Sequence, residues 1–223
     1  MTVNNKTNAI PETGIVSMPD AFLRGADLSG RKCDNIAGTD LIDANLDHTD
    51  FSGGTLKLAC LVGANASRAR FTSADLTCAR LAAANLKNAK MGGVKLDRTD
   101  LRYANLGHAY MGHAQSDHAR FDSALMVDVD MGDAQFSDTS FRDAVLHDAK
   151  VCGTSFDHCD MRDADISGMS FTMADIDTIR VNDDTDMRGA SVFRSQVKQF
   201  VDPKGAPCSE EYLTALGALI IKK

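Results

Sequence analysis

Tryptophan is missing from this chain, aromatic residues make up only 6% of it, and no apolar run approaches the ~20 residues a membrane-spanning helix needs. A transmembrane chain is thereby excluded, although 43% of the residues are hydrophobic. The opening stretch MTVNNKTNAIPETGIVSMPD has neither the basic nor the apolar region of a secretory leader, so a cytoplasmic protein is expected. CxxC pairs are absent too. Cys33, Cys60, Cys78, Cys152, Cys159 and Cys208 are scattered, which favours reduced structural thiols over a disulfide or zinc framework. Basic charge is in deficit, 24 Lys and Arg against 31 Asp and Glu, and a net charge of -7 argues against direct binding of nucleic acid through its phosphates. A partner chosen by electrostatics should therefore be basic. No Gly-rich phosphate loop and no HExxH occur, so the expectation is a protein that is not an enzyme, with no cofactor and no metal.

What the chain has in abundance is a period of five. In LAAANLKNAKMGGVKLDRTDLRYANLGHAYMGHA, residues 81–114, large apolar residues fall at Leu81, Leu86, Met91, Leu96, Leu101, Leu106 and Met111. On an α-helix five residues turn by ~500°, so such a series never forms one stripe. On a continuous strand an odd spacing sends alternate members to opposite faces. A chain that turns a corner once per five residues can point every one of them inward, which describes a solenoid. The register runs without a slip from Ile36 to Val181, thirty units, with Ala66 and Ser116 as its weak members. Ser116 reads as a packing defect or a local bulge. Two residues before each centre the side chain is small, and taking every twentieth residue there gives Ala44, Ala64, Ala84, Ala104, Ala124, Ala144 and Ala164. That uniform column points to four sides and 20 residues per coil.

Units such as ANLKN, ADLTC and ANLGH resemble the A(D/N)LXX repeat of the pentapeptide-repeat family. The resemblance implies an all-β fold, a right-handed quadrilateral β-helix of about eight coils with a short C-terminal helix. Residues 1–20 are expected as an N-terminal cap or tail, 21–201 as the β-helix, with Leu23 and Leu28 in an irregular first coil and Met187, Val192 and Val197 in a last coil after a one-residue slip. Residues 202–223 are expected to carry a short helix N-capped by Ser209 and ended by Gly217, then a strand. Tyr212, Leu213, Leu216, Leu219, Ile220 and Ile221 have no core of their own there and are expected to cap the last coil and to form a homodimer contact. The segment YLTALGALII is similar to the tail that joins two rods end to end in the Qnr and MfpA quinolone-resistance members of the family. Those members bind type II topoisomerases in place of DNA. Loops that interrupt the coils of Qnr proteins matter to protection, and the unbroken register from 34 to 183 leaves no room for them here, so the implied likeness is to a simpler, MfpA-like mimic.

Charge is polarised along the rod. Residues 34–116 hold eight Asp against nine Lys and Arg, whereas 117–183 hold fifteen Asp against five. Asp130, Asp160, Asp165 and Asp175 occupy the slot before a centre, where the family's repeat itself carries acid. The other eleven, Asp117, Asp122, Asp128, Asp133, Asp138, Asp143, Asp148, Asp157, Asp163, Asp177 and Asp183, are the expected partner-binding surface. The partner so implied is DNA gyrase or topoisomerase IV, or another basic-surfaced protein. A second reading is an interaction scaffold or secreted effector that uses the flat faces, with Leu58, Val62, Tyr103, Tyr110, Leu125, Val127 and Val145 as the places to look. His118 and His158 share a column with Asp138 between them and read as a solvated ladder without a third ligand.

Overall fold

The structure, a computed structural model, describes residues 14–222. Four short strands per coil stack into a β-solenoid of about nine coils, one more than the register alone suggests because pairing continues at both ends. Each five-residue unit places its centre and the residue two before it inward. Its other two wall residues face outward, and the residue two after the centre turns the corner. Leu81 shows the wiring: its N–H donates to Asp100 O (2.7 Å) on the next coil, Asn85 N–H donates to Ala64 O (2.9 Å) on the previous one, and Ala84 N–H closes the turn onto Leu81 O (3.0 Å). Backbone polar groups are thus satisfied by the coils on either side and, at each corner, by the turn itself.

We name the four faces by their centres. Face one carries Ile36, Leu56, Leu76, Leu96, Ser116, Phe136, Phe156 and Ile176; face two, Leu41 to Val181; face three, Leu46 to Ile166 and then Met187; face four, Phe51 to Phe171 and then Val192. All are buried, as is the whole Ala44 to Ala164 column. Parallel pairing joins residues 20 apart from Asn35↔Thr55 through Val145↔Asp165. At the start the offset is 18 (Phe22↔Asp40, Asp27↔Asn45), and at the end it is 21 (Asp165↔Asp186, Ser170↔Ser191). The solenoid opens with β1 (Ile15–Ser17) on β2 (Lys32–Asn35), inside the stretch assigned above to a cap or tail; residues 1–13 of that stretch lie outside the described residues.

Pairing is most regular on face one, where β3 (Gln115–Asp117), β4 (Gln135–Ser137), β5 (Ser155–Asp157) and β7 (Asp175–Ile176) make a four-stranded parallel sheet. Beside it β6 (Cys159–Asp160), β8 (Ile179–Arg180) and β10 (Phe200–Val201) form a second sheet leading onto face two. Ser116 is neither a defect nor a bulge: its register with Phe136 is unbroken. Its hydroxyl lies 3.0 Å from Thr139 Oγ1, which donates to Ser137 O, so the buried polar group is satisfied. Inside the rod Phe121 and Phe141 stack at 5.1 Å, Phe136 and Phe156 at 5.7 Å, and Phe136 meets Phe141 edge-on at 5.3 Å.

The last coil is closed by the tail. Ser209 Oγ accepts from Tyr212 N–H (3.1 Å) and caps α1 (Glu210–Ala215), and β11 (Leu219–Ile221) pairs in parallel with β9 (Ser191–Phe193). Leu213 is fully buried and Tyr212, Leu216 and Ile220 pack partly against the core, whereas Leu219 is 57% and Ile221 37% exposed. Gly217 makes the turn possible with φ +98°, and a Cβ there would lie 2.8 Å from Arg188 Cα. Gly217→Ala should destabilise this end by ~2–3 kcal/mol in a thermal melt. Gly205→Ala, with positive φ but open space around it, should cost only ~1 kcal/mol; equal effects would show that the approach of Arg188 does not matter.

Candidate functional site: an acidic face without cations

Corner residues carry the first part of the charge. Positive φ occurs at twenty-two non-glycine residues among those described, all but Asp20 standing two after a named centre. Asp, Asn and His tolerate that conformation better than most side chains. It does not demand acid, since the amino-terminal half fills it with Leu58, Arg68, Cys78, Ala83, Arg98 and Tyr103. In the carboxyl-terminal half it holds Asp128, Asp133, Asp138, Asp143, Asp148 and Asp163. The backbone explains why a small polar residue suits these corners; it does not explain why each is an anion.

Wrapping the sequence around four sides distributes the cations very unevenly. Between 115 and 183 all four arginines, Arg120, Arg142, Arg162 and Arg180, fall on face two, and Lys150 falls on face four. Face two is accordingly self-neutralised. Arg120 pairs with Asp122 (3.2 Å), Arg142 with Asp163 (3.6 Å), and Arg162 Nε donates to Asp160 Oδ1 (2.8 Å). Asp163 Oδ1 also accepts from Asn182 Nδ2 (2.8 Å). Asp183 accepts from Tyr212 Oη (2.8 Å), whose phenol is pushed up to about 12 by burial and then by that hydrogen bond. Asp163 and Asp183 are therefore the least available part of the expected surface, whereas Asp143 stays exposed.

Face one is the opposite. Asp117, Asp138, Asp157, Asp175 and Asp177 line β3, β4, β5, β7 and the adjoining corner, with no Lys or Arg on that face between 115 and 178. Their companions are imidazoles. His118 Nδ1 lies 2.6 Å from Asp117 Oδ1; His158 Nδ1 contacts Asp157 and lies 3.7 Å from Asp177. The third donor that the sequence reading denied is present. Asp117, His118 and Asp138 place ligand atoms within 4.8 Å of one another, and so do Asp157, His158 and Asp177, because each corner meets a carboxylate of the next coil. This donor set is of the kind divalent cations accept, but it stands on an open wall with nothing enclosing it. The hydrogen bond to Asp157, then the charges of Asp157, Asp177 and Asp138, raise the His158 pKa, so this face loses negative charge as pH falls.

On face three, Asp128 lies 3.5 Å from His108 and Asp148 3.1 Å from His147. Asp133, at the corner after face four, lays its carboxylate over Gly153, where a Cβ would sit 2.2 Å from Oδ1. Asp175 was missed by the sequence reading because its slot is one the repeat itself fills with acid. Sorting residues by their remainder on division by twenty would have found it.

The pentapeptide-repeat family profile matches in eight copies, over residues 35–65, 56–87, 64–102, 79–114 and 134–176. The chain is a pentapeptide-repeat protein. Among solved structures, QnrB1, a plasmid-mediated fluoroquinolone resistance protein in a trypsin-treated variant form, aligns with 79% of this chain and 91% of its own at 14% identity and a TM-score of 0.62. HetL, involved in heterocyst differentiation regulation in the cyanobacterium Nostoc, is 24% identical over 86% of this chain and 90% of its own, with a TM-score of 0.46. A pentapeptide-repeat protein of the Arabidopsis thaliana thylakoid lumen is 32% identical over 48% of this chain and 69% of its own, at 0.40. No curated protein matches the sequence. At these identities the QnrB1 likeness is one of fold, and pentapeptide-repeat proteins on this fold have varied roles. Function must be argued from the surface.

Proposed function

We propose that this pentapeptide-repeat protein is a non-enzymatic, cytoplasmic DNA mimic that occupies the DNA-binding groove of a type II topoisomerase, DNA gyrase or topoisomerase IV. The observation that carries the proposal is the cation-free acidic wall of face one. Its five aspartates lie on four rungs, three spacings or ~14 Å apart from first to last at the ~4.8 Å separation of paired strands. That is roughly one charge per 3 Å, against one per ~3.4 Å along a single strand of duplex DNA. A rigid array of carboxylates at this pitch suits a protein groove built for a phosphate backbone.

The second element is a homodimer. Leu219 and Ile221 are exposed on the terminal strand β11, next to the acidic half. Tail-to-tail pairing through them would put both acidic halves at the centre of a rod ~80 Å long. The test is a supercoiling and cleavage assay with purified gyrase, with and without a fluoroquinolone. Micromolar protein should inhibit supercoiling and reduce drug-stabilised cleavage, with competition by duplex DNA and weakening by added salt. No effect at that concentration would overturn the reading.

A further inference from the structure

A different wall carries a different signal. Along face three the outward residue before each centre is Asn45, Asn65, Asn85 and Asn105, stacked one per coil. Their amides hydrogen-bond along the column, Asn65 Nδ2 to Asn45 Oδ1 at 3.4 Å and Asn85 Nδ2 to Asn65 Oδ1 at 3.0 Å. The next two rungs abandon this self-satisfying ladder for Leu125 and Val145, paired across adjacent coils, and Asp165 follows. Leu125 is 48% exposed, and Val127, on the other side of the same centre, is partly exposed. Tyr103, 66% exposed, stands at the corner of the preceding coil.

Acid surrounds this strip. Asp128 and Asp148, with His108 and His147 beside them, form the corner column on one side; on the other stand Asp143, which is exposed, and Asp163, which Arg142 already meets; Asp165 lies one rung beyond. Face three has no Lys or Arg from 104 to 187; Arg188, which follows, is held by Asp186. An apolar centre with a polar rim is the anatomy of a protein interface, and here the rim is predominantly acidic. Nucleic acid is repelled by it, and so is a second copy of this face.

We infer that face three docks a basic amphipathic helix of a partner protein. Apolar side chains at i and i+4 on a helix lie ~5–6 Å apart, close to the ~4.8 Å between Leu125 and Val145 on adjacent rungs. Lys or Arg on the flanks of that helix reaches Asp128 and Asp148 on one side and Asp143 on the other, with the aliphatic stems covering the strip. The inference does not depend on what occupies face one.

The test uses the intact protein and three synthetic 20-residue peptides followed by fluorescence anisotropy. One is a Leu/Lys amphipathic helix, the second a permutation of it without an apolar face, the third a Leu/Glu analogue. The Leu/Lys helix should bind at least about tenfold more tightly than its permutation, and the Leu/Glu peptide should not bind. Leu125→Asn with Val145→Asn keeps the charge and extends the natural asparagine column, so the variant should fold, as a thermal melt will show, while losing about tenfold or more in affinity. Asp128→Asn with Asp148→Asn should weaken binding and flatten its salt dependence. Equal affinity for the permuted peptide, or an unchanged affinity in the folded double-asparagine variant, would overturn the inference. The gyrase assay bears on face one, so the two readings fail separately.

Discussion

Leu101→Asp is expected to abolish folding. Leu101 is completely buried midway along the rod, in a column running Leu41, Leu61, Leu81, Leu101 and Phe121. Truncating such a residue to alanine costs ~2–5 kcal/mol, and burying a carboxylate with no partner costs several more, against a total stability of order 5–15 kcal/mol. What the interior does accept is instructive. Thr49, Thr99 and Thr154 are buried, but each hydroxyl donates to a main-chain carbonyl of the preceding coil, Leu28 O at 2.8 Å, Leu76 O at 2.9 Å and Met131 O at 2.7 Å. A β-hydroxyl reaches that carbonyl and donates a hydrogen bond to it; an ionised aspartate is an acceptor only and has no hydrogen to offer. Because each coil is stabilised only by the coils on either side, a disrupted middle coil deprives both halves of a neighbour. Circular dichroism and urea unfolding will measure this, with Leu101→Met, expected to cost less than ~1.5 kcal/mol, as the control. A Leu101→Asp protein that melts cooperatively within ~1 kcal/mol of the parent would show that the interior is not the dry, close-packed column described here.

The architecture was legible because burial in a solenoid repeats with the chain's own period. A centre such as Leu86 is inward for the same reason as Leu81, and the Ala44 to Ala164 column reports the number of sides directly. The slip after Val181 was legible too, and appears as the change in pairing from 20 to 21. Electrostatics was only half legible, since neutralisation acts between coils and across centres. Arg142 meets Asp163 on the next coil, and Arg162 reaches back over a centre to Asp160. Counting charge along the sequence therefore merges a neutralised face two with a bare face one, and gives Asp163 and Asp183 a prominence that Arg142, Asn182 and Tyr212 remove. A local sign was available: in DMR at 160–162, DLR at 100–102 and DMR at 186–188, acid and base flank one centre and point to the same side, and all three are ion pairs. The aspartates of face one have no arginine two residues away. Ser116 was misread because its partner, Thr139, lies on the next coil, where no local pattern announces it.

Reversing the charge of face one should abolish the action on gyrase, and the fold itself supplies substitutions it already tolerates. Lys57 occupies the column of Asp117, Asp157 and Asp177, and Arg98, at φ +55°, occupies the corner column of Asp138. A variant with Asp117→Lys, Asp138→Arg, Asp157→Lys and Asp177→Lys should keep the parent's melting cooperativity, because all four side chains are outward and the row of like charge it creates replaces a row of like charge already present. Its affinity for gyrase should fall by about a hundredfold or more, since like charge set against a basic groove costs several kcal/mol. The matched Asp→Asn set should fall part of the way and show a shallower salt dependence, which separates lost attraction from added repulsion. On face two, Asp143→Lys with Asp163→Lys changes charge in an already cation-bearing region and should reduce the effect by no more than about tenfold. The contrast between faces is what the mimicry reading requires, because net charge alone predicts losses in proportion to the charges changed. A face-one variant that still inhibits supercoiling like the parent, or a face-two variant that loses as much per charge, would remove the physical basis for placing a polyanion-binding groove against this wall.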